Sequence, residues 1–370
     1  MRRSRSTTTE TAGSSTRFSV AWPSADLDAL ALQERAPLAP LTTLRLGGPA
    51  WALARFKTAE ELSGLRSLAR REGRPLMILG GGSNVVVPDE GLGALVVQSK
   101  DQRIEVEGTR LRVGAGVVWD EVVATAVDRG LQGIECLSGI PGSMGAAPIQ
   151  NIGAYGQELA DTLVEVQVWD PESGRTRVFP KQQLGLGYRS SRFKRGDPGI
   201  VLAVTLELRR SLPILTHQEL VAAAGTFPEE GGAALRQVRE TVLRVRRSKS
   251  MVWDPEDPNH RSVGSFFMNP VVDDERWTRV QARAERLARP APRAFPVEGG
   301  HKLSAAWLIE HAGFEKGHRQ GNVGLSTRHT LALVAHEGAT TAELKALARS
   351  IQVGVYMVWG VALETEARFL

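Results

Sequence analysis

Three polar side chains sit where ordinary composition does not put them. Arg189 lies in GLGYRSSRFK, a glycine-flanked turn rich in donors. A guanidinium there can clamp a carboxylate through two parallel N–H bonds, or it can make a surface ion pair. Ser265 lies in SVGSFFMNP. A hydroxyl between Gly264 and two phenylalanines needs a partner or a task, and a strand serine bonded to backbone satisfies that as well. The pattern G-x-S-x-G is absent around it, so it is not a nucleophile elbow. Glu366 lies in GVALETEARFL at the C-terminus. On a strand it shares a face with Glu364. Both carboxylates can be solvated, or a buried one can hold a proton and act as an acid. His217 and His329 are isolated, and no metal-ligand spacing appears, so no metal is expected.

Two glycine-rich stretches can supply backbone donors beside these groups. Cys136 to Leu159 (CLSGIPGSMGAAPIQNIGAYGQEL) carries Gly139, Gly142, Gly145, Gly153 and Gly156, with Gln150 and Asn151 at a polar turn. Without a Cβ, such backbone approaches a ligand closely. Ile140, Met144, Ile149 and Ile152 interleave it, so it is packed, as a ligand cradle or an ordered structural loop. The second stretch, Gly80-Gly81-Gly82-Ser83, follows the apolar run Leu76–Leu79 and can aim several N–H groups at one anion. A glycine-rich turn is the equal alternative. No G-x-G-x-x-G is completed and no G-K-[ST] loop exists, so a bound dinucleotide needs another fold.

Elements must hold these stretches in place. A strand is expected over 41–50, then a helix from Thr58 to Arg71. Thr58 and Glu61 make a capping box, Gly73 is the stop, and Leu62, Leu65 and Leu68 share a face. Strands follow at 94–98, 103–107 and 110–114, then a helix over 119–128 closed by Gly130. Strands at 164–170 and 175–179 join through PESG as a hairpin, and 200–208 is another strand. Helices fit 235–247, 273–288, 303–311 and 341–357, with a linker-like interruption at 290–296. Strands dominate in small αβ groups, without a strict βαβ series.

Length and charge bound the function. A chain of 370 residues holds two or three domains. Its 46 Lys+Arg against 41 Asp+Glu leave a net charge of +5, which suits an anionic small substrate as well as nucleic acid. Cys136 is the single cysteine, which excludes an internal disulfide and fits a reducing cytoplasm. No apolar run approaches a membrane span. The first residues are basic and Ser/Thr-rich without an apolar stretch, so no secretory signal is expected; they read as a disordered tail, with an organelle transit peptide as the alternative on composition.

Taken in order, TTLRLGGPA, ILGGGSNVVV, GIPGSMGAAPIQNIGAYGQEL, GYRSSRFK, GSFFMNP, KLSAAWLIEHAGFEKG and LETEARF resemble the UDP-N-acetylenolpyruvoylglucosamine reductase family, from about Leu38 to Phe369. The resemblance implies an α+β fold: a two-lobed FAD-binding domain of the vanillyl-alcohol-oxidase (PCMH) type plus a smaller α/β substrate-binding domain. The expected division is a tail at 1–17, lobes at 18–100 and 101–211, a substrate domain with an insertion at 212–358, and a C-terminal strand at 359–370.

It implies non-covalent FAD and NADPH as co-substrate, with reduction of the enolpyruvyl sugar nucleotide to UDP-N-acetylmuramate for peptidoglycan. Hydride would come from flavin N5 and a proton from Ser265, with Arg189 and Glu366 stabilising the enolate. FAD would lie on Gly80, Gly81, Gly82, Ser83, Asn84, Ser138, Gly139, Pro141, Gly142, Gly145, Ala146, Gln150, Asn151, Gly153, Ala154, Tyr155 and Gly156. Substrate would meet Tyr188, His217, Lys249, Asn269, Lys302 and His329. The implied partners are the UDP-sugar and NADPH, with neither nucleic acid nor membrane, and the protein is expected as a cytoplasmic monomer.

The segment 212–247 resembles the insertion of the larger subclass. His217 stands where that subclass usually has tyrosine, and Met268 where a lysine is common. Competing readings are another flavin oxidoreductase of the same fold, such as a sugar or alcohol oxidase, and a flavin-free nucleotide-sugar binder.

Overall fold

The computed structural model describes residues 32–226, 231–290 and 292–370. The expected tail at 1–17 and the start of the fold near Phe18 lie outside them. The first lobe contains β1 (Gln33–Glu34), β2 (Ala50–Phe56), α1 (Ala59–Arg71), β3 (Leu76–Ile78), β4 (Val85–Val86) and β5 (Leu92–Ser99). Its sheet runs β1-β2-β5-β3, with β2, β5 and β3 parallel. Thr58 and Glu61 cap α1 reciprocally, and Leu62, Leu65 and Leu68 bury against Phe56, Leu95 and Val97. The strand expected over 41–50 begins only at Ala50. Gly47 has φ +102°, outside the strand region, and its Cβ position would lie 2.4 Å from the Val87 side chain. That segment is pressed against 87–91 instead of laddered.

The second lobe is an antiparallel sheet. It contains β6 (Ile104–Glu107), β7 (Arg110–Gly114), α2 (Trp119–Asp128), β8 (Gly153–Ala154), β9 (Gln157–Glu158), β10 (Leu163–Trp169), β11 (Thr176–Pro180) and β12 (Ile200–Glu207). The order is β11-β10-β12-β7-β6, and β10–β11 is the hairpin that the PESG turn predicted. Leu111, Trp119, Val122, Val166 and Val204 form its core.

Two helices follow, α3 (Gln218–Ala224) and α4 (Gly231–Ser248). The expectation grouped them with the substrate domain. Packing places α4 on the second lobe, because Leu235 is buried in that lobe's core. Val238, Val242 and Leu220 close over Cys136. Arg239 fixes the contact, donating to both oxygens of Asp120 at 2.6 and 2.7 Å.

The remaining residues form a third unit. It contains β13 (Ser262–Ser265), β14 (Val271–Val272), α5 (Asp274–Arg286), β15 (Ala294–Val297), β16 (Gly300–Leu303), α6 (Ala305–Glu310), β17 (Arg319–Gln320), β18 (Val323–Leu325), β19 (Ala332–Ala335), α7 (Thr341–Trp359) and β20 (Arg368–Phe369). The linker-like stretch thus carries β15, paired to β16. Phe266, Leu308, Leu333, Leu347 and Ile351 make the core, which also takes Leu44, Leu46 and Val86 from the first lobe. Among the described residues, no helix is long and apolar enough to cross a membrane.

Candidate active site

The C-terminal tail carries a carboxylate from the end of the chain to the junction of the lobes. The strand expected at 359–370 is regular only at β20; the rest is extended and irregular. It is held on both sides. Towards the first lobe, β20 pairs with β4, and Asn84 Nδ2 donates to the Glu366 carbonyl at 3.0 Å. Towards the third unit, Glu366 N–H donates to the Phe266 carbonyl at 2.8 Å, and Met268 N–H to that of Glu364 at 2.9 Å. The two glutamates part company as a result: Glu364 is exposed and Glu366 is largely buried. Burial pushes the Glu366 carboxyl above the usual carboxylate range, against the pull of Arg189 and Lys194.

Arg189 meets it from the second lobe. The turn bridges Gly187 and Ser190, and Arg189 takes the left-handed conformation, φ +49°. Its guanidinium is shared three ways. Nε lies 3.0 Å from Glu366 Oε1, Nη2 donates to the Gly153 carbonyl at 2.6 Å, and Nη1 to the Asn151 carbonyl at 3.4 Å. Asn151 Nδ2 returns a bond to the Gly187 carbonyl at 3.2 Å, so cradle and turn brace each other. Ser265 ends β13 opposite Ala332 and is half-buried.

Arg189, Ser265 and Glu366 line one cavity of about 790 Å³, within the size range of small-molecule sites. Gly80, Gly81, Gly82, Ser83, Asn84, Pro141, Gly142, Gly145, Ala146, Gln150 and Gly153 line it too. The two glycine loops touch backbone to backbone: a Cβ on Gly81 would come within 2.8 Å of the Gly142 Cα. Within the described residues, no group accepts from the N–H groups of Gly80, Gly81, Gly82 and Ser83. Consecutive free donors of this kind form a nest for an anion.

Sequence reasoning missed Arg246, which also lines the cavity. Its Nη2 donates to the Met251 carbonyl at 2.7 Å, while its buried Nε has no partner among the described residues. Burial lowers its pKa from the ordinary arginine value. The basic run RVRRSK at 244–249 carries the signal for it. A nest and an orphaned guanidinium N–H lining one cavity fit the phosphates and the electron-rich ring edge of FAD.

Ser138, Gly139, Asn151, Ala154, Tyr155 and Gly156 do not line the cavity. Ser138 Oγ donates to the Glu135 carbonyl, and Gly139 N–H to Asp120 Oδ1 at 2.6 Å. Asn151 is buried in the brace described above, and Ala154 packs on the second-lobe core. Tyr155 packs on the cluster around Cys136, and Gly156 lies against Thr216.

None of the six expected substrate contacts lines the cavity; they form two groups. In one, Lys302 Nζ lies 4.9 Å from the centre of the Tyr188 ring, and Tyr188 hydrogen-bonds Asn269. Asn269 Oδ1 also accepts from Ala305 N–H at 2.9 Å. In the other, Lys249 pairs with Glu219 at 2.6 Å and lies 5.9 Å from the Tyr155 ring centre. The exposed His217 meets that ring edge-on at 5.2 Å. His329 accepts from Leu331 N–H at 3.1 Å, and burial with the nearby Lys249 and Lys316 lowers its pKa to about 4.

Comparison with known proteins gives the chain its family. Residues 50–179 match the model of an FAD binding domain, and residues 256–370 that of the UDP-N-acetylenolpyruvoylglucosamine reductase C-terminal domain. A UDP-N-acetylenolpyruvoylglucosamine reductase of Thermobifida fusca is 48% identical over 341 residues, covering 89% of this chain and 95% of that protein. That of Streptomyces coelicolor is 44% identical over 350 residues, covering 93% and 91%. The crystal structure of the Thermus caldophilus reductase superposes with a TM-score of 0.65 at 29% identity, covering 91% of this chain and 99% of that one. Two-lobed FAD-binding architecture, nest and terminal carboxylate thus have a common explanation: the chain belongs to the UDP-N-acetylenolpyruvoylglucosamine reductase family, FAD-dependent oxidoreductases of peptidoglycan precursor synthesis.

Proposed function

We propose that the chain uses NADPH to reduce UDP-N-acetyl-3-O-(1-carboxyvinyl)-glucosamine to UDP-N-acetylmuramate, in the cytoplasm and as a monomer. The observation that carries this is that Arg189, Ser265 and Glu366 line the same cavity as the glycine nest. Bound there, FAD would supply the two-electron, hydride-transfer chemistry that links NADPH to the substrate. Gly80 to Asn84, the loop from Pro141 to Gly153, and Arg246 are the residues that would hold it.

The chain's own groups then manage charge. Hydride addition at the terminal vinyl carbon leaves negative charge that spreads into the substrate carboxylate. The fixed fork of Arg189 stabilises it, and preorganised donors of this kind supply much of a rate enhancement. Glu366, with its raised pKa, can hold a proton and donate a hydrogen bond without adding negative charge. Ser265 gives its proton to the carbon beside the carboxylate. A serine hydroxyl is a weak acid, which suits it only to so basic a carbon. Lys249 and His217 face the diphosphate, with Tyr188, Asn269 and Lys302 along the sugar and carboxylate. NADPH and sugar nucleotide take turns in one cleft.

The test is optical. The purified protein is yellow, NADPH bleaches it anaerobically, and the enolpyruvyl nucleotide restores the colour. Initial-rate plots run parallel. A protein that stays colourless after incubation with FAD, or is reoxidised equally by simple alcohols or sugars, overturns the proposal.

A further inference from the structure

Lys194 has no part in the chemistry above, yet it is partly buried beside it. Among the described residues, its ammonium makes no ion pair within 4.0 Å. Its one side-chain bond is to a neutral acceptor, the carbonyl oxygen of Arg189, at 2.9 Å. Removing an ammonium from water without an acid partner is unfavourable, so the position calls for a compensating role. Burial depresses its pKa from the ordinary lysine value, and the field of Glu366 partly restores it.

The geometry supplies that role. Arg189 is one of the few non-glycine residues with positive φ, at +49°, a conformation disfavoured by its Cβ. Lys194 caps its carbonyl, and Lys194 is itself anchored. Its N–H donates to Ser191 Oγ at 3.2 Å, and that hydroxyl donates to the Ile149 carbonyl of the cradle at 2.7 Å. The guanidinium is therefore tied at both ends: to Gly153 and Glu366 at its tip, and through Lys194 at its backbone.

We propose that Lys194 is a positioning residue for the enolate-stabilising cation, locking the left-handed turn that aims the Arg189 fork into the cavity. This rests on the reading of Arg189 given above. The test is to measure the two half-reactions separately by stopped-flow absorbance, on FAD-loaded full-length protein. In Lys194→Met the substrate half-reaction slows roughly 10- to 100-fold at saturating sugar nucleotide, the scale of effect that a small misplacement of a catalytic group produces. Reduction by NADPH slows much less, and Lys194→Arg, which can reach the same carbonyl, recovers most of the loss. FAD content and melting temperature are recorded alongside. Should Lys194→Met not fold, Lys194→Gln, a shorter neutral donor, takes its place with the same expectation. Equal slowing of both half-reactions, a rise in KM alone, or an Arg variant as slow as the Met or Gln variant overturns the proposal. Failure of wild-type reduced protein to be reoxidised by the enolpyruvyl nucleotide overturns the functional reading first, and this proposal with it.

Discussion

Nε of Arg189 and Oε1 of Glu366 lie 3.0 Å apart, although they come from a turn of the second lobe and from the C-terminal tail. The pair joins a permanent cation to an acid that burial makes reluctant to ionise. Replacing Arg189 with lysine removes the fork, including the bond to Gly153. The substrate half-reaction should fall by roughly 10²- to 10³-fold, the usual effect of losing one oxyanion donor. FAD content should largely hold, since Arg189 makes no hydrogen bond to the nest at Gly80–Ser83 or to Arg246. Stopped-flow reoxidation and the flavin absorbance check both.

Glu366→Gln tests the acid separately. The folded-state pKa of Glu366 is raised, so the folded protein binds more protons than the unfolded chain as pH climbs past the ordinary carboxylate value. The wild type loses stability across that window and the variant does not. Melting curves from pH 4 to 8 should therefore show the variant gaining on the wild type as pH rises, while its turnover stays low. A gap that is constant with pH contradicts the raised pKa.

His329 has the opposite sign. Burial first, then Lys249 and Lys316, depress its pKa to about 4. Between about pH 6.5 and about pH 4 the unfolded chain binds the proton and the folded protein does not, so acid destabilises the fold in that window. His329→Gln should flatten this part of the melting-temperature profile. The His329 ring resonances should not move in an NMR titration until the pH nears about 4.

The nest makes a steric prediction. A methyl group on Gly81 would sit 2.8 Å from the Gly142 backbone, so Gly81→Ala must part the two loops. The protein should purify with little flavin and melt at lower temperature. Gly64 is the counterpart. It lies in α1, exposed, and beyond its chain neighbours and its own helix backbone no heavy atom lies within 4 Å of its Cβ position, so Gly64→Ala should stabilise by about 0.5–1 kcal/mol and leave flavin content unchanged.

Much of this protein was legible from its residues alone. The Thr58–Glu61 capping box, the 119–128 helix and the 176–180 return strand are local devices, set by caps, period and turn chemistry within a few positions. The order of the glycine, GYR, GSFF and LETEARF motifs pointed to the family, because motif spacing survives in sequence. What only the tertiary structure decided was which of those residues meet. Glu364 and Glu366 are equivalent on paper, and cross-bonds from Asn84 and Phe266 bury one and leave the other in water. The glycine stretch reads as one cradle, yet Gly142 lines the cavity while Gly139 is taken up by Asp120. Helix α4 reads as part of the substrate domain, yet its apolar face found the second lobe. A one-dimensional pattern states which side chains need burial or a partner. Only the packed chain, with every such need met at once, selects the partner.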